Sequence, residues 1–181
     1  MFKQRGAKKT GLNILIIGCG KVGTALTRQL CKEGHDITVI DKNADKVEMN
    51  VNQYDVMGIC GNGASYSVLM EAGVENADLV IAVTNSDELN LLCCTIAKQG
   101  RDCATVARVR NPDYSKEIKY LKKRLGLTMV INPELETATA VARVLYMPTA
   151  LDINSFAHGQ AEMTTLTIPE HNLLDDLSVD P

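Results

Sequence analysis

Short apolar runs rich in β-branched residues alternate with longer amphipathic stretches from Leu12 onward. The short runs are apolar throughout, which is typical of parallel strands covered by helices on both faces. The longer stretches repeat their apolar residues with helical spacing. The pattern predicts strands at 12–17, 36–40, 56–59, 79–83, 104–109 and 129–131, and helices at 22–32, 44–52, 65–71, 88–99, 114–125 and 134–145.

Six alternations of strand and helix predict an α/β chain of the Rossmann type, with a doubly wound, parallel, six-stranded sheet. Ligands bind such sheets beyond the carboxyl ends of the strands. Ser65 and Asp87 are predicted to cap the amino ends of two helices. Left-handed caps are predicted at the glycines that follow four helices, namely Gly34, Gly73, Gly100 and Gly126.

The pattern changes after residue 148. Two β-like runs at 151–156 and 162–168 flank a predicted turn at Gly159. This segment is too short to bury a core of its own. We therefore expect an N-terminal extension over 1–11, a Rossmann nucleotide-binding domain over 12–148, and the start of a small α+β C-terminal unit over 149–181.

Composition narrows the class of protein. Hydrophobic residues make up 45% and charged residues 23% of the 181 residues, which is the balance of a globular chain. A net charge of -3 provides no broad attraction to nucleic acid, so no nucleic-acid partner is expected. The basic start lacks the apolar core of a secretory signal, and no run approaches the roughly 20 apolar residues of a membrane span. A cytoplasmic location follows as an expectation.

A glycine-rich loop carries the main chemical signal. Gly18-Cys19-Gly20-Lys21-Val22-Gly23 follows the first predicted strand and opens the first helix, as a G-x-G-x-x-G dinucleotide loop must. Gly18 permits the tight turn, Gly20 lets the backbone approach a pyrophosphate, and Gly23 lets helix and sheet pack closely. Lys21 is placed either to meet a phosphate or to remain a solvated lysine.

Asp41 strengthens the nucleotide interpretation. It ends the second predicted strand, where a carboxylate can accept hydrogen bonds from a ribose 2′-hydroxyl. The same charge repels a 2′-phosphate, which favours NAD(H) over NADP(H). The adenosine ribose of ATP or ADP would satisfy Asp41 equally well, so both ligand classes stay open.

Further polar residues fall at the same predicted edge. Cys60-Gly61-Asn62-Gly63 ends the third strand and Val83-Thr84-Asn85-Ser86-Asp87 the fourth, either as ligand contacts or as ordinary turns. Arg108 sits on the fifth strand, where a buried arginine needs an anion. A phosphate or a structural carboxylate such as Glu134 would serve.

The machinery of a hydride-transfer enzyme is not evident. No tyrosine has a lysine four residues on, His35 is predicted at the edge opposite the nucleotide as a solvated loop residue, and His158 and His171 follow the domain. The six cysteines include no C-x-x-C pair, so a metal site is not expected. Cys19 and Cys60 fall at the ligand edge, where a helix amino end could lower a thiol pKa, but Cys19 is also suited to simple packing.

The residues also resemble a known family. The chain is similar, from about 12 to 150, to the TrkA N-terminal (RCK) domain family, which regulates Trk-type potassium uptake. The matching segments are IIGCGKVG at 16–23, ITVID at 37–41, AGVENADLVIAVT at 72–84, DELN at 87–90, ARVRNPDY at 107–114 and INPE at 131–134. Residues 151–181 resemble the first half of the family's C-terminal ligand-binding domain.

The resemblance implies a role and a set of contacts. It implies a non-enzymatic regulatory subunit that binds NAD(H), or alternatively ATP/ADP, and gates potassium transport. It also implies a homo-oligomer, from dimer to tetramer or octameric ring, at the inner face of the plasma membrane beneath a transporter subunit of the TrkH or KtrB kind. The implied nucleotide-binding residues are Gly18, Cys19, Gly20, Lys21, Val22, Gly23, Asp41, Lys42, Gly61, Asn62, Val83, Thr84, Asn85 and Arg108.

Two other functions remain compatible with the residues. One is an NAD-dependent dehydrogenase whose substrate domain lies outside this chain. The other is a structural oligomerisation domain with a vestigial nucleotide site.

Overall fold

The computed structural model describes residues 11–146, 150–156 and 161–166. They fall into two compact units, one ending at Pro133 and the other beginning at Glu134. The first unit holds a six-stranded sheet with its helices. The second holds one helix and a two-stranded sheet.

The six strands of the first unit pair in the order β3-β2-β1-β4-β5-β6, and every pairing is parallel. This is the strand order of a Rossmann fold, as predicted. The strands are β1 (Asn13–Ile17), β2 (Asp36–Asp41), β3 (Met57–Cys60), β4 (Leu79–Ala82), β5 (Ala104–Arg108) and β6 (Met129–Ile131).

Helices connect the strands where the spacing of apolar residues predicted them. A short 3₁₀ helix, Val74–Asn76, precedes β4. The α-helices of this unit are α1 (Lys21–Lys32), α2 (Ala44–Tyr54), α3 (Tyr66–Glu71), α4 (Asp87–Gly100) and α5 (Pro112–Leu125).

Apolar residues on both faces of the sheet explain the uninterrupted apolar strands. In β1, Ile14 and Ile16 lie in the cluster that α1 and α2 cover. Leu15 and Ile17 point to the opposite face, which α3 and α4 cover. Successive side chains of a strand face opposite ways, so a doubly covered strand needs an apolar residue at every position.

Some of the predicted helix caps are corrected by the structure. Ser86, not Asp87, caps α4, and its side chain accepts the Leu89 N–H. Asp87 is instead the first, buried residue of that helix. Ser65 precedes α3 as predicted, but its side chain makes no capping hydrogen bond.

Three of the predicted glycine caps adopt the left-handed conformation, at Gly34, Gly73 and Gly126. Gly100 does not, because α4 continues through it and the chain leaves in an extended conformation at Arg101. The general signal for a helix end was therefore correct at Gly100, but the backbone conformation inferred from it was wrong.

The second unit contains α6 (Pro133–Tyr146), whose first residue precedes the start of the unit at Glu134. It also contains the antiparallel pair β7 (Ala150–Phe156) and β8 (Ala161–Leu166). The two predicted β-like runs thus form strands. The predicted turn at Gly159 and the last residues of the second run lie outside the described residues. The predicted domain boundary between residues 148 and 149 stays a prediction.

Packing around α3 gives a stability prediction. Leu69 is completely buried, whereas Leu92 is 50% exposed. Leu69→Ala should lower the free energy of unfolding by about 2–5 kcal/mol, since it leaves a cavity. The matched change Leu92→Ala should stay within about 0.5 kcal/mol of the wild type. Urea denaturation measures both, and equal losses would contradict the packing described here.

Candidate functional site

A cleft of about 140 Å³ opens at the carboxyl edge of the sheet. It lies where β1 and β4 are neighbours, so the chain leaves these two strands toward opposite faces. Such a switch point separates the two loops and leaves a crevice between them. The cleft is lined by Ile17, Gly18, Gly20, Ile40, Asp41, Lys42, Lys46, Gly61, Gly63, Val83, Thr84, Asn85 and Leu89.

The predicted site residues divide into two groups. Those that line the cleft are Gly18, Gly20, Asp41, Lys42, Gly61, Val83, Thr84 and Asn85. Those outside its lining are Cys19, Lys21, Val22, Gly23, Asn62 and Arg108. The nucleotide contacts of both groups stay predictions, since position alone does not define a contact.

The three glycines of the loop face different surroundings. Gly18 has φ +107°, and an added Cβ would lie 2.9 Å from the Thr84 nitrogen. At Gly23 an added Cβ would lie 1.8 Å from the Gly18 carbonyl oxygen. At Gly20 it would meet no protein atom within 4 Å. The protein's own packing requires glycine at positions 18 and 23 but not at Gly20.

The amino end of α1 also faces this cleft. Gly20 is its N-cap, with no side-chain capping hydrogen bond and no acidic residue in the first turn. By contrast, the side chains of Asn43, Ser86 and Asn111 cap α2, α4 and α5. Uncapped N–H groups at a helix start are suited to an anion. Lys21, exposed at the first position of α1, keeps both of its predicted roles.

Asp41 holds the glycine loop. Its Oδ2 accepts the Cys19 N–H at 2.7 Å, and its Oδ1 accepts the Asn43 N–H at 2.9 Å. Each carboxylate oxygen has a second acceptor site, so these bonds leave capacity for a ligand hydroxyl. Asp41 thus ends β2 and lines the cleft, and the structure gives it a structural task, while its contact with a ribose stays a prediction.

Lys46 is a cleft residue that reasoning from the sequence missed. It lies in the first turn of α2, three residues after the Asn43 cap. Side chains in a helix point toward its amino end, which here faces the cleft. The combination of an N-cap and a lysine in the first turn was the available signal. Lys42 and Lys46 thus place two exposed cations beside Asp41.

Two side chains of α4 hold the chain segments that follow β4 and β5 at the cleft. Asn90 is completely buried, and its side chain bonds to the backbone and hydroxyl of Thr84. Asp87, also buried, accepts the N–H groups of Arg110 and Asn111 at 2.7 and 2.8 Å. The Thr84 hydroxyl therefore bonds to protein partners, the Asn90 side chain and the Ser86 backbone.

Two of the predicted contacts lie apart from the lining. Arg108 is 9% exposed at the end of β5. Asn62 is exposed, and its Oδ1 accepts the Ala64 N–H within the loop after β3. At both residues the structure neither adds nor removes a ligand contact.

The pKa values of the buried thiols are raised, whereas the sequence suggested that a helix start could lower the pKa of Cys19. Burial, followed by the charge of Asp41, raises the pKa of Cys19 to about 12. Burial also raises the pKa values of Cys93 and Cys94 to about 12. The possible lowering of the Cys19 pKa is thus wrong, because burial and the Asp41 charge both raise it. Cys60 is exposed.

His35 lies at the amino edge of the sheet, as predicted, but it is not simply a solvated loop residue. Its Nδ1 accepts the Leu12 N–H at 3.1 Å, and its side chain is 19% exposed. His158 and His171 lie outside the described residues. Among the described residues, no group of His, Cys, Asp and Glu could hold a metal ion.

The strand order and the glycine loop at the switch point define a Rossmann-type nucleotide-binding fold. The profile of the TrkA-N domain family matches residues 14–133. The chain belongs to this family, and the resemblance seen from its motifs is confirmed.

Named relatives extend the comparison beyond the domain. The chain is 36% identical over 168 residues to a Trk system potassium uptake protein TrkA homolog of Archaeoglobus fulgidus, covering 93% of this chain and 38% of that protein. It is 34% identical over 155 residues to a TrkA homolog of Methanothermobacter thermautotrophicus, covering 86% of this chain and 70% of that protein. The chain therefore spans well under half of the Archaeoglobus relative.

Solved structures share the fold. The TrkA-N domain of the inner membrane protein ybaL from Escherichia coli has a TM-score of 0.66 and 22% identity, covering 76% of this chain and 99% of that one. The structure described as the GsuK channel bound to NAD has a TM-score of 0.56 and 22% identity. The match covers 69% of this chain and 22% of that one. The structure described as GsuK bound to ADP has a TM-score of 0.57 and 23% identity. The match covers 68% of this chain and 31% of that one. At these identities the likeness establishes the fold alone.

The described ranges contain the helices α1 to α6. None of them combines the length and the apolar character that a crossing of the bilayer requires.

Thiol labelling tests the electrostatics of the cleft. With a pKa of about 12, Cys19 would be ionised in on the order of one in ten thousand molecules at about pH 8. We expect Cys60 to account for the fast reaction with a disulfide reagent, and Cys60→Ser to abolish it. Cys31→Ser is the control and should retain the fast phase. A fast phase that survives Cys60→Ser would contradict this assignment.

Proposed function

We propose that this chain is the nucleotide-sensing part of a regulatory subunit for potassium uptake, and that the cleft binds NAD(H) or, alternatively, ATP/ADP. The binding residues proposed are those of the cleft lining together with the loop residues Cys19, Lys21, Val22 and Gly23. Asn62 and Arg108 are proposed as further contacts on the resemblance to the family.

The observation that carries this proposal is the open space at Gly20. A glycine in a helix cap with φ -77° and ψ -171° is in a conformation open to any residue. No protein atom occupies the volume where its Cβ would project. The lack of a side chain is therefore unnecessary for folding and useful for a ligand that approaches the backbone.

Charge supports a phosphate-bearing ligand with a ribose. The uncapped N–H groups of α1 and the cations of Lys42 and Lys46 favour an anion. Asp41 supplies an acceptor for ribose hydroxyls beside them. A nucleotide presents both features in one molecule, which neither a free phosphate nor a nucleoside does.

The relatives supply the proposed physiological context. The curated relatives carry names of Trk potassium uptake proteins, and the GsuK channel structures are described as bound to NAD and to ADP. By analogy, the chain would act without catalysis, as a cytoplasmic homo-oligomer at the inner face of the plasma membrane. Its partner would be a membrane-embedded potassium transporter subunit, whose gate responds to the bound nucleotide.

Gly20→Ala separates binding from folding. The added methyl group should abolish binding of NAD, NADH, ATP and ADP in calorimetry, while the Tm changes by less than about 2 °C. Gly100→Ala is the matched control, since its Cβ would make only ordinary contacts at the far end of α4. It should bind like the wild type. Undiminished binding by Gly20→Ala, or no binding by the wild type, would refute the proposed site.

Asp41→Ala tests the ribose contact. Loss of a charged hydrogen-bond acceptor should weaken NAD binding by about tenfold or more. Because the carboxylate also repels a 2′-phosphate, the ratio of the NADP and NAD dissociation constants should fall in the variant. The ratio separates a ribose contact from support of the loop, which would weaken both ligands equally. An unchanged ratio would remove Asp41 from the ribose position.

A further inference from the structure

The DELN segment at 87–90 and Arg110, which follows β5, match the family, yet the proposed function assigns them no task. Asn90 is the central residue of this group. It lies on α4, is 0% exposed, and does not line the cleft. Its side chain nevertheless makes several hydrogen bonds to residues at the carboxyl edge of the sheet.

All hydrogen-bonding groups of the Asn90 amide are directed at two neighbouring strand ends. Oδ1 accepts the Thr84 N–H at 2.8 Å and the Thr84 hydroxyl at 2.7 Å. Nδ2 donates to the Thr84 carbonyl at 3.3 Å and to the Arg108 carbonyl at 2.9 Å. One side chain thus fixes the chain after β4 and joins it to the end of β5.

Thr84 transmits this constraint to the glycine loop. A Cβ on Gly18 would lie 2.9 Å from the Thr84 nitrogen and 3.0 Å from the Val83 carbonyl carbon, so the two backbones are in direct contact. Val83 also donates its N–H to the Ile17 carbonyl at 2.8 Å. A displacement of Thr84 would therefore disturb the turn that presents Gly18 and Gly20.

Only an amide meets these requirements in a buried position. Replacing Nδ2 by oxygen would set an acceptor against the carbonyls of Thr84 and Arg108, both of which need a donor. An apolar side chain would leave the Thr84 N–H without its acceptor. The isosteric change Asn90→Asp therefore removes one half of the bonding pattern and keeps the shape.

We propose that Asn90 is a positioning residue for the nucleotide site, which acts through Thr84 on the glycine loop and touches no ligand itself. Asp87 assists from the same helix turn, because it holds the backbone of Arg110 and Asn111 just after β5. The proposal rests on the proposed function for its effect on nucleotide affinity. The effect on the loop itself is independent of any ligand.

The test compares Asn90→Asp with Ala97→Gly, a change at an equally buried position seven residues further along α4. Both are assayed well below their unfolding midpoints. Hydrogen exchange of a peptide over 14–22 should accelerate in Asn90→Asp and remain at the wild-type rate in Ala97→Gly. ADP affinity should fall about tenfold in the first and less than about twofold in the second.

Thr84→Val provides a second variant should Asn90→Asp fail to fold. It removes the hydroxyl bond to Asn90, together with the longer bonds of that hydroxyl to the Ser86 backbone, and changes the shape little. It should accelerate exchange in the same peptide to a smaller extent. Equal exchange and equal ADP affinity in the Asn90 and Ala97 variants would overturn the positioning role. If the wild type binds no ADP or NAD, the proposed function fails, whereas the exchange comparison still decides whether Asn90 positions the loop.

Discussion

Backbone groups at the carboxyl edge of a parallel sheet lose their ladder partners where the chain turns away, and buried ones must find others. The arrangement of the cleft depends on how this chain meets that requirement. Asp41 accepts the Cys19 and Asn43 N–H groups, Asn90 bonds to Thr84 and Arg108, and Asp87 accepts two N–H groups after β5. Three polar side chains thereby fix the walls of the cleft.

The same constraint explains why the loop after β1 is rich in glycine. Since Gly18 lies against the backbone of Thr84, and Gly23 against the carbonyl of Gly18, the loop has no room for side chains at these two positions. Close packing forces the backbone into the turn that exposes the amino end of α1 to the cleft. Gly20 differs because its surroundings are open, so packing alone does not account for it.

Much of the fold could be predicted because its signals are local. Apolar runs of strand length and helical spacing located every strand and every α-helix of the first unit, but not the 3₁₀ helix Val74–Asn76. At Asp87 and Cys19, where prediction failed, the deciding contacts were distant in sequence. Asp87 looks like a helix cap, yet its partners lie 23 and 24 residues further along the chain. The pKa of the Cys19 thiol is raised by its burial and by the charge of Asp41, which only the folded chain brings next to it.

The candidate site was predictable in outline and not in its detailed lining. Glycine spacing and Asp41 placed it, because each motif residue has a fixed location relative to a strand end. Lys46 was missed, since a lysine in a first helical turn is usually a solvated residue. Leu89 also lines the cleft through tertiary packing, which no short motif records.

A loop held by the protein's own contacts has a consequence for regulation under the proposed function. Binding to a pre-organised loop costs little ordering entropy, which favours affinity. Affinity alone does not make a sensor, because a ligand shifts an equilibrium only by the difference in its affinity for two conformations. Under the proposed function, we expect that difference in affinity to arise where no side chain holds the wall of the cleft. Lys42 and Lys46 are exposed cations with no ion pair among the described residues, and so are free to take different positions around a phosphate.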